Sequence, residues 1–521
     1  EKNKNIMILA PTGLGKTISA LAPALAIAKR KGLTLICLTS RQTQANQFIS
    51  AIKAISNKSK KKISYVAFIG KRSMCVHPKK EEYSSTDFID FCKKSREKGQ
   101  CKYFINVKNS DNEQIIQEIL NNSSNNFQSV EEFVSISGRN EFCPYELAGK
   151  KAFHADVIIC DFNYVFSPGI RESFFGKLGR KLEETILIVD EAHNLPDRLR
   201  NAYSFTLSTE LLKNSLKELQ DFIKIRKYDE FIIAIKQTLE EIYFEKLLGK
   251  EKEFPIDKSL FLDILKKKIS IPFDDMINEL KEVEALVKEQ RIVSFIGRVS
   301  NFLLSWNELE EEGFFRSMEK IVGESKTFLS LKIRCLDPSI YASEVLNHSY
   351  SSILMSATLS PINMYKDLLG VENTQILELE SPFEKENLLM LVNTQVSSKY
   401  SARSLDMYKK IAIDIELALN LSEDKNSIVF FPSYDFMDKI LSHINIIKLN
   451  RKILKEQRYM TKEQKENYVI QFKDTFISKS KVLFAITSGS FAEGLDLPEA
   501  ALELVIVIGL PLAVPDLYTQ A

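Results

Sequence analysis

Ala10-Pro11-Thr12-Gly13-Leu14-Gly15-Lys16-Thr17 sits between an apolar run, Ile6 to Ala10, and a stretch of helical spacing that continues to about Arg30. A strand that breaks into a glycine turn and reopens as a helix is the setting a Walker A loop requires. Gly13 and Gly15 let the backbone turn its N–H groups toward phosphate oxygens, and the helix start adds the positive end of its dipole. Lys16 can reach the β- and γ-phosphates of a nucleotide, and the Thr17 hydroxyl can ligate Mg²⁺. The usual pattern opens on glycine where this chain has Ala10, a change that leaves the cradle of N–H groups in place. The bland alternative is a glycine turn that joins a strand to a helix.

Working outward, short apolar runs alternate with helical segments, which predicts α/β architecture with parallel sheets. Ile6 to Ala10, Thr34 to Leu38, Val157 to Cys160, Thr185 to Val189 and Ser352 to Met355 form one set of buried strands. Ile428 to Phe431, Val482 to Ile486 and Leu504 to Ile508 form a second, so two sheets are expected. Two stretches break this rhythm. From about Ser208 to Gln290 the apolar spacing is near 3.6, as in LLKNSLKELQDFI (211–223) and DDMINELKEVEALVKEQ (274–290), which predicts a helical insertion. Between the strands near Leu38 and Val157 lies an Asn-, Ser- and Lys-rich insertion that holds four of the seven cysteines.

Ile186-Leu187-Ile188-Val189-Asp190-Glu191-Ala192-His193 ends an apolar strand on two carboxylates. Asp190 is suited to hold Mg²⁺ through water and Glu191 to polarise an attacking water. A strand-terminal acid pair in a chain that already owns a phosphate loop predicts ATP hydrolysis; an unrelated acidic turn is the alternative.

Composition narrows the classes. With 71 Lys and Arg against 69 Asp and Glu the chain is no polycation, so a nucleic-acid surface must come from local clustering. Lys71 to Tyr103 offers such a cluster, nine basic residues against five acids. An odd, sparse set of seven cysteines argues against a secreted disulfide framework and favours an intracellular chain, cytoplasmic or nucleoid-associated. The longest apolar stretch, Leu504 to Pro515, contains Gly509 and Pro511 and falls short of the roughly 20 residues of a membrane helix.

From Asp190-Glu191-Ala192-His193 onward the chain resembles the superfamily 2 helicases. Ser356-Ala357-Thr358 looks like the motif that couples hydrolysis to strand movement. Phe430-Phe431-Pro432-Ser433 resembles the first motif of the second motor domain, and Gly489-Ser490-Phe491-Ala492-Glu493-Gly494-Leu495-Asp496 its G-x-x-x-E-G-x-D motif. Ser381-Pro382-Phe383 with Asn387, Leu336-Asp337-Pro338-Ser339, and Ala155-Asp156 through Asn163-Tyr164 fit the narrower XPD-like iron–sulfur DNA helicases, with DinG-type helicases as cousins. The resemblance spans almost the whole chain; each motif alone is weak, and the ordered set is strong.

That resemblance implies two RecA-like motor domains, ATP and Mg²⁺ as cofactors, and 5′ to 3′ movement on single-stranded DNA with unwinding of forked duplex by a monomer in DNA repair. Lys16, Asp190, Glu191 and His193 would be catalytic, with Gly13, Gly15, Thr17, Glu493 and Asp496 on the nucleotide. Arg41, in Thr39-Ser40-Arg41-Gln42, would contact a DNA phosphate, although a helix-start arginine in solvent is nearly as good a reading. Residues 1–70, 150–204 and 332–360 would form the first motor, 71–149 the cysteine insertion, 205–331 an arch-like helical insertion and 361–521 the second motor. The adenine-reading segment of the family would precede Glu1, and its arginine finger would follow Gln520-Ala521, so the chain reads as a fragment.

Cys75, Cys92, Cys101 and Cys143 leave gaps of 16, 8 and 41 residues without a Cys-x-x-Cys, a modest signal by spacing. The resemblance adds that XPD-like helicases carry a four-cysteine [4Fe–4S] domain at this position. Met74-Cys75-Val76-His77-Pro78 and Phe142-Cys143-Pro144-Tyr145-Glu146 look like its first and last ligand sites. Zn²⁺ accepts the same thiolates, and free thiols are a third possibility. Phe142 and Tyr145 are candidates to stack on unpaired bases, against packing in the domain core. Two other functions remain in play, a DEAH-type RNA helicase and a DNA-binding scaffold without ATPase activity.

Overall fold

The computed structural model describes residues 5–40, 42–126, 129–246, 252–322, 327–422, 425–473, 480–492, 497, 501–510, 512 and 516–521. The chain divides into two compact units, Glu1–Pro382 with Asp516–Ala521, and Phe383–Pro515.

The first unit is built on a seven-stranded sheet in the order Thr374–Glu378, Asn5–Leu9, Ser351–Ser356, Thr185–Asp190, Thr34–Thr39, Val157–Asp161, Tyr65–Ala67. All the pairings are parallel. Parallel strands are covered on both faces, and Thr34–Thr39 and Thr185–Asp190 are buried at every position. Alternate side chains feed two cores, because successive residues of a strand point to opposite faces. Leu35, Cys37, Ile186 and Ile188 meet the helices Lys16–Lys31 and Gln42–Ser59 through Leu21, Leu25, Phe48 and Ile52. Ile36, Leu38, Leu187 and Val189 face the other way, into a core shared with Met74, Val107, Ile116, Phe142 and Leu147 of the cysteine insertion.

The helical insertion is only partly helical. Its helices pack around a four-stranded antiparallel sheet, Phe205–Ser208, Thr327–Cys335, Phe314–Val322 and Glu253–Pro255. The sequence reading ended the helical insertion at residue 331, whereas the period-two stretch Leu331 to Cys335, where buried Leu331, Ile333 and Cys335 alternate with the half-buried Lys332 and Arg334, belongs to this sheet. Trp306, fully buried, anchors this core between Phe261 and Phe302.

The second unit carries a four-stranded parallel sheet, Lys452–Lys455, Lys481–Ile486, Ser427–Phe431, Leu504–Val507. Helices Leu405–Leu421 and Tyr434–Leu441 cover one face through Ile415, Leu419, Phe436 and Ile440. Phe472 and Phe491 pack on the other. Both sheets of the expected α/β fold are therefore present, and all eight anticipated strands form. Short strands at Tyr65, Thr374 and Lys452 were not anticipated, since three to five residues carry too little periodicity to stand out. The helix Ile362–Leu368 and the strand Thr374–Glu378 extend the first unit to Pro382, beyond residue 360, where the sequence reading ended the first motor. Among the described residues no helix is long and apolar enough to cross a membrane.

Candidate active site

Parallel pairing brings the ends of the central strands to one edge. Leu9 lies beside Ser356, Met355 beside Asp190, and Leu38 beside Val189. In open α/β sheets this carboxyl edge is where ligands bind. The phosphate loop leaves it with Gly13 and Gly15 at φ 85° and 73°, a backbone region that side chains with a Cβ rarely enter. Gly15 is also the N-cap of the helix Lys16–Lys31, so the N–H groups of its first turn open toward the loop. The Lys16 ammonium donates to the carbonyls of Ala10 and Pro11 at 3.0 and 3.1 Å, which folds it back over the loop it serves. The Ala10 N–H in turn donates to the Ser356 carbonyl at 3.1 Å, tying the loop to the neighbouring strand.

The acid pair stands opposite. Asp190 is 4% exposed, and burial followed by the charge of Glu191 pushes its carboxyl up to about 6, against the pull of Lys16 and His193. The Ala10 bond to Ser356, whose hydroxyl reaches Glu191, puts the phosphate loop and the acid pair at one site. Glu191 takes φ 48°, a strained conformation for a side chain of its size and of the kind that clusters at functional sites. Its N–H donates to the Asp190 carboxylate at 3.0 Å. His193 Nδ1 lies 3.3 Å from the Glu191 carboxylate and 2.7 Å from Ser356 Oγ, which donates to Glu191 at 3.1 Å. The His193 contact holds Glu191 below the usual carboxylate range, ionised as an acceptor for a water proton must be. The Thr358 N–H donates to Ser356 Oγ at 3.1 Å, so the two motifs form one hydrogen-bonded network. Reading them separately missed this contact; the available signal was that both close a buried strand.

Arg41, Glu493 and Asp496 lie outside the described residues. Tyr145 is half-buried, with the ammonium groups of Lys71 and Lys177 over its ring at 5.1 and 4.8 Å and Phe68 meeting it edge-on. Phe142, the other stacking candidate, is 2% exposed and belongs to the core, where no base can reach it.

Cys75, Cys92, Cys101 and Cys143 are free and half-buried, whereas Cys37, Cys160 and Cys335 are fully buried in strands. Cys101 and Cys143 each precede a helix, Lys102–Lys108 and Pro144–Ala152. Backbone bonds draw the segments together, with the Cys143 N–H on the Tyr103 carbonyl at 3.0 Å and the Cys101 N–H on that of Ser95 at 3.1 Å. Burial, above all, raises the Cys75 thiol and pushes Cys143 up to about 12. Cys92 and Cys101 add to the rise at Cys75, and Cys92 and Cys75 to that at Cys143. They do not form a closed cage: among the described residues no three His, Cys, Asp or Glu side chains stand together as a metal site. As donors, half-buried thiols suit a thiophilic metal centre.

Residues 38–212 match the DEAD_2 family, and residues 417–521 match the helicase C-terminal domain. The chain is 26% identical over 528 residues to the ATP-dependent DNA helicase XPD of Sulfolobus acidocaldarius, covering 99% of this chain and 83% of the relative. It is 22% identical to the ATP-dependent DNA helicase CHL1 of Kluyveromyces lactis, over 88% of this chain and 59% of that longer relative. A solved XPD helicase structure matches with a TM-score of 0.61 at 21% identity, covering 99% of this chain and 84% of its own. The two parallel sheets, the phosphate loop facing an acid pair and these two matched segments together make the chain similar to the XPD-like superfamily 2 helicases.

Proposed function

We propose that the protein is an ATP-dependent DNA helicase that moves 5′ to 3′ on single-stranded DNA, opens forked duplex and serves DNA repair inside the cell, acting as a monomer. The observation that carries this reading is the single sheet edge shared by Lys16, Asp190, Glu191, His193 and Ser356. Gly13, Gly15 and Lys16 take the phosphates, and Thr17 and Asp190 take Mg²⁺. Glu191, oriented by His193 and Ser356, receives the proton of the attacking water. Glu493 and Asp496 contribute from the second motor. Arg41 and Tyr145 are assigned to the strand. The names of the relatives support DNA as the polymer over RNA.

Cys75, Cys92, Cys101 and Cys143 hold a [4Fe–4S] cluster in this reading, supported by their half-buried place in one insertion and by their thiolate chemistry. When bound, such a cluster would staple four segments of the insertion to one another. The decisive experiment compares ATP turnover of the full-length gene product with single-stranded DNA and with RNA, alongside its iron and sulfide content. DNA-stimulated turnover with about four irons per chain is expected. Stimulation by RNA alone overturns the substrate, and stoichiometric zinc without iron overturns the cluster.

A further inference from the structure

The second unit buries one carboxylate almost completely. Glu456 follows the strand Lys452–Lys455 and is 1% exposed. Its N–H donates to the Phe484 carbonyl at 2.9 Å, continuing the ladder to the strand Lys481–Ile486. The side chain turns toward the loop that leaves that strand. Oε2 accepts from the Ile486 N–H at 2.9 Å, and Oε1 accepts from the Ser490 N–H at 2.8 Å. Gly489 stands between the donors, where an added Cβ would meet the two oxygens at 2.6 and 2.7 Å. The carboxylate cannot swing aside to make room without giving up both N–H groups, and a buried charge without partners is costly. The same loop is tied at its root, where the N–H and hydroxyl of Thr487 both donate to the Phe431 carbonyl at 2.9 and 3.1 Å. Phe491, 2% exposed, closes it beside Tyr468.

Apolar side chains could close such a loop with less desolvation than a carboxylate. A charge that instead grips two backbone N–H groups and demands glycine between them specifies one backbone path. We propose that Glu456 is a positioning residue for ATP turnover. It sets the course of Thr487–Ala492, the segment that leads to Glu493 and Asp496, the two residues assigned above to the nucleotide. The inference rests on that functional reading, and nothing in the motif pattern had singled Glu456 out.

The test uses full-length protein and Glu456→Gln, whose amide sets an N–H₂ against one of the two backbone donors. DNA-stimulated kcat should fall about tenfold or more, with the KM for ATP and the affinity for single-stranded DNA within about threefold of wild type. The ratio of stimulated to basal turnover should fall with it, a change that a loss of folded protein cannot produce. Gly489→Ala pushes the loop from the other side and serves if Glu456→Gln does not fold. It should give the same split, and where both variants fold the pair should be non-additive. Normal stimulated turnover in either folded variant overturns the proposal, as does an equal fall in basal and stimulated rates. Lys16→Ala, measured in parallel, separates the two readings. If it keeps turnover, the function proposed above fails; if it is dead beside a normal Glu456→Gln, only this inference does.

Discussion

The carboxyl edge of the seven-stranded sheet and the cysteine insertion belong to one unit, yet they are held by different forces. At the sheet edge, hydrogen-bond register between fully buried strands sets where Lys16, Asp190 and Ser356 stand, and little of this depends on surface charge. The insertion shares the apolar core through Met74, Val107 and Phe142, but it meets the helical insertion through charges. Arg298 pairs with Asp87 at 2.7 Å, Lys288 with Asp90 at 3.4 Å, and Lys94 donates to the Arg291 carbonyl. Register is set by many bonds at once and has no intermediate setting. Ion pairs at half-exposed sites are weak one by one and are screened by salt. Chemistry therefore sits on the part that cannot drift, and the two insertions meet through contacts that can loosen.

Five substitutions probe that contrast, and the largest effect belongs to the rigid edge. Lys16→Ala or Glu191→Gln should lower ATP turnover by about a thousandfold or more while leaving affinity for single-stranded DNA near wild type, as read by steady-state hydrolysis and by titration of a labelled strand. Next comes the insertion. Cys101→Ser should deplete iron and reduce strand separation by at least about tenfold, with a smaller fall in DNA-stimulated hydrolysis. Equal losses in both assays would place the cysteines in the motor.

Lys151 bears on stability instead. It lies in the helix Pro144–Ala152, 9% exposed, with its ammonium over the Tyr65 ring at 5.5 Å. Burial and then the charge of Lys62 push it down to about 7. A lysine depressed in the folded state binds fewer protons there than in the unfolded chain between about pH 7 and its ordinary range. Stability should therefore rise with pH across that window, and the cost is complete below it. Lys151→Met should stabilise the protein by about 2 kcal/mol below pH 7, with the gap closing toward pH 10, by chemical denaturation across pH. An unchanged gap would show that the ammonium is not penalised by burial. The smallest effect is expected at the charged contact. Arg298→Glu should loosen the two insertions by less than about 1 kcal/mol, seen as faster hydrogen exchange in the helix Ser85–Glu97 at low salt and lost at high salt.

Much of the first motor was legible from residues in order. A glycine turn between strand and helix, an acid pair closing a buried run and a Ser-Ala-Thr after another are local signals, because a phosphate cradle is built from consecutive backbone N–H groups. The hairpin Phe314–Val322 with Thr327–Cys335 was readable by its alternation, but the boundary drawn at residue 331 cut its second strand in two. Phe142 and Phe491 show the limit, since an aromatic residue beside a motif reads alike whether it faces a ligand or a core.

By itself the sequence determined the α/β class, the two sheets, the phosphate loop and its acids, for these rest on periodicity and on spacing along a few residues. Only the tertiary structure decided that His193 and Ser356 jointly hold Glu191, that the Cys143 N–H reaches the Tyr103 carbonyl, and that Glu456 grips a loop more than thirty residues away. Each of these joins segments that are distant along the chain, and such contacts arise from strand order and packing, which no local pattern encodes.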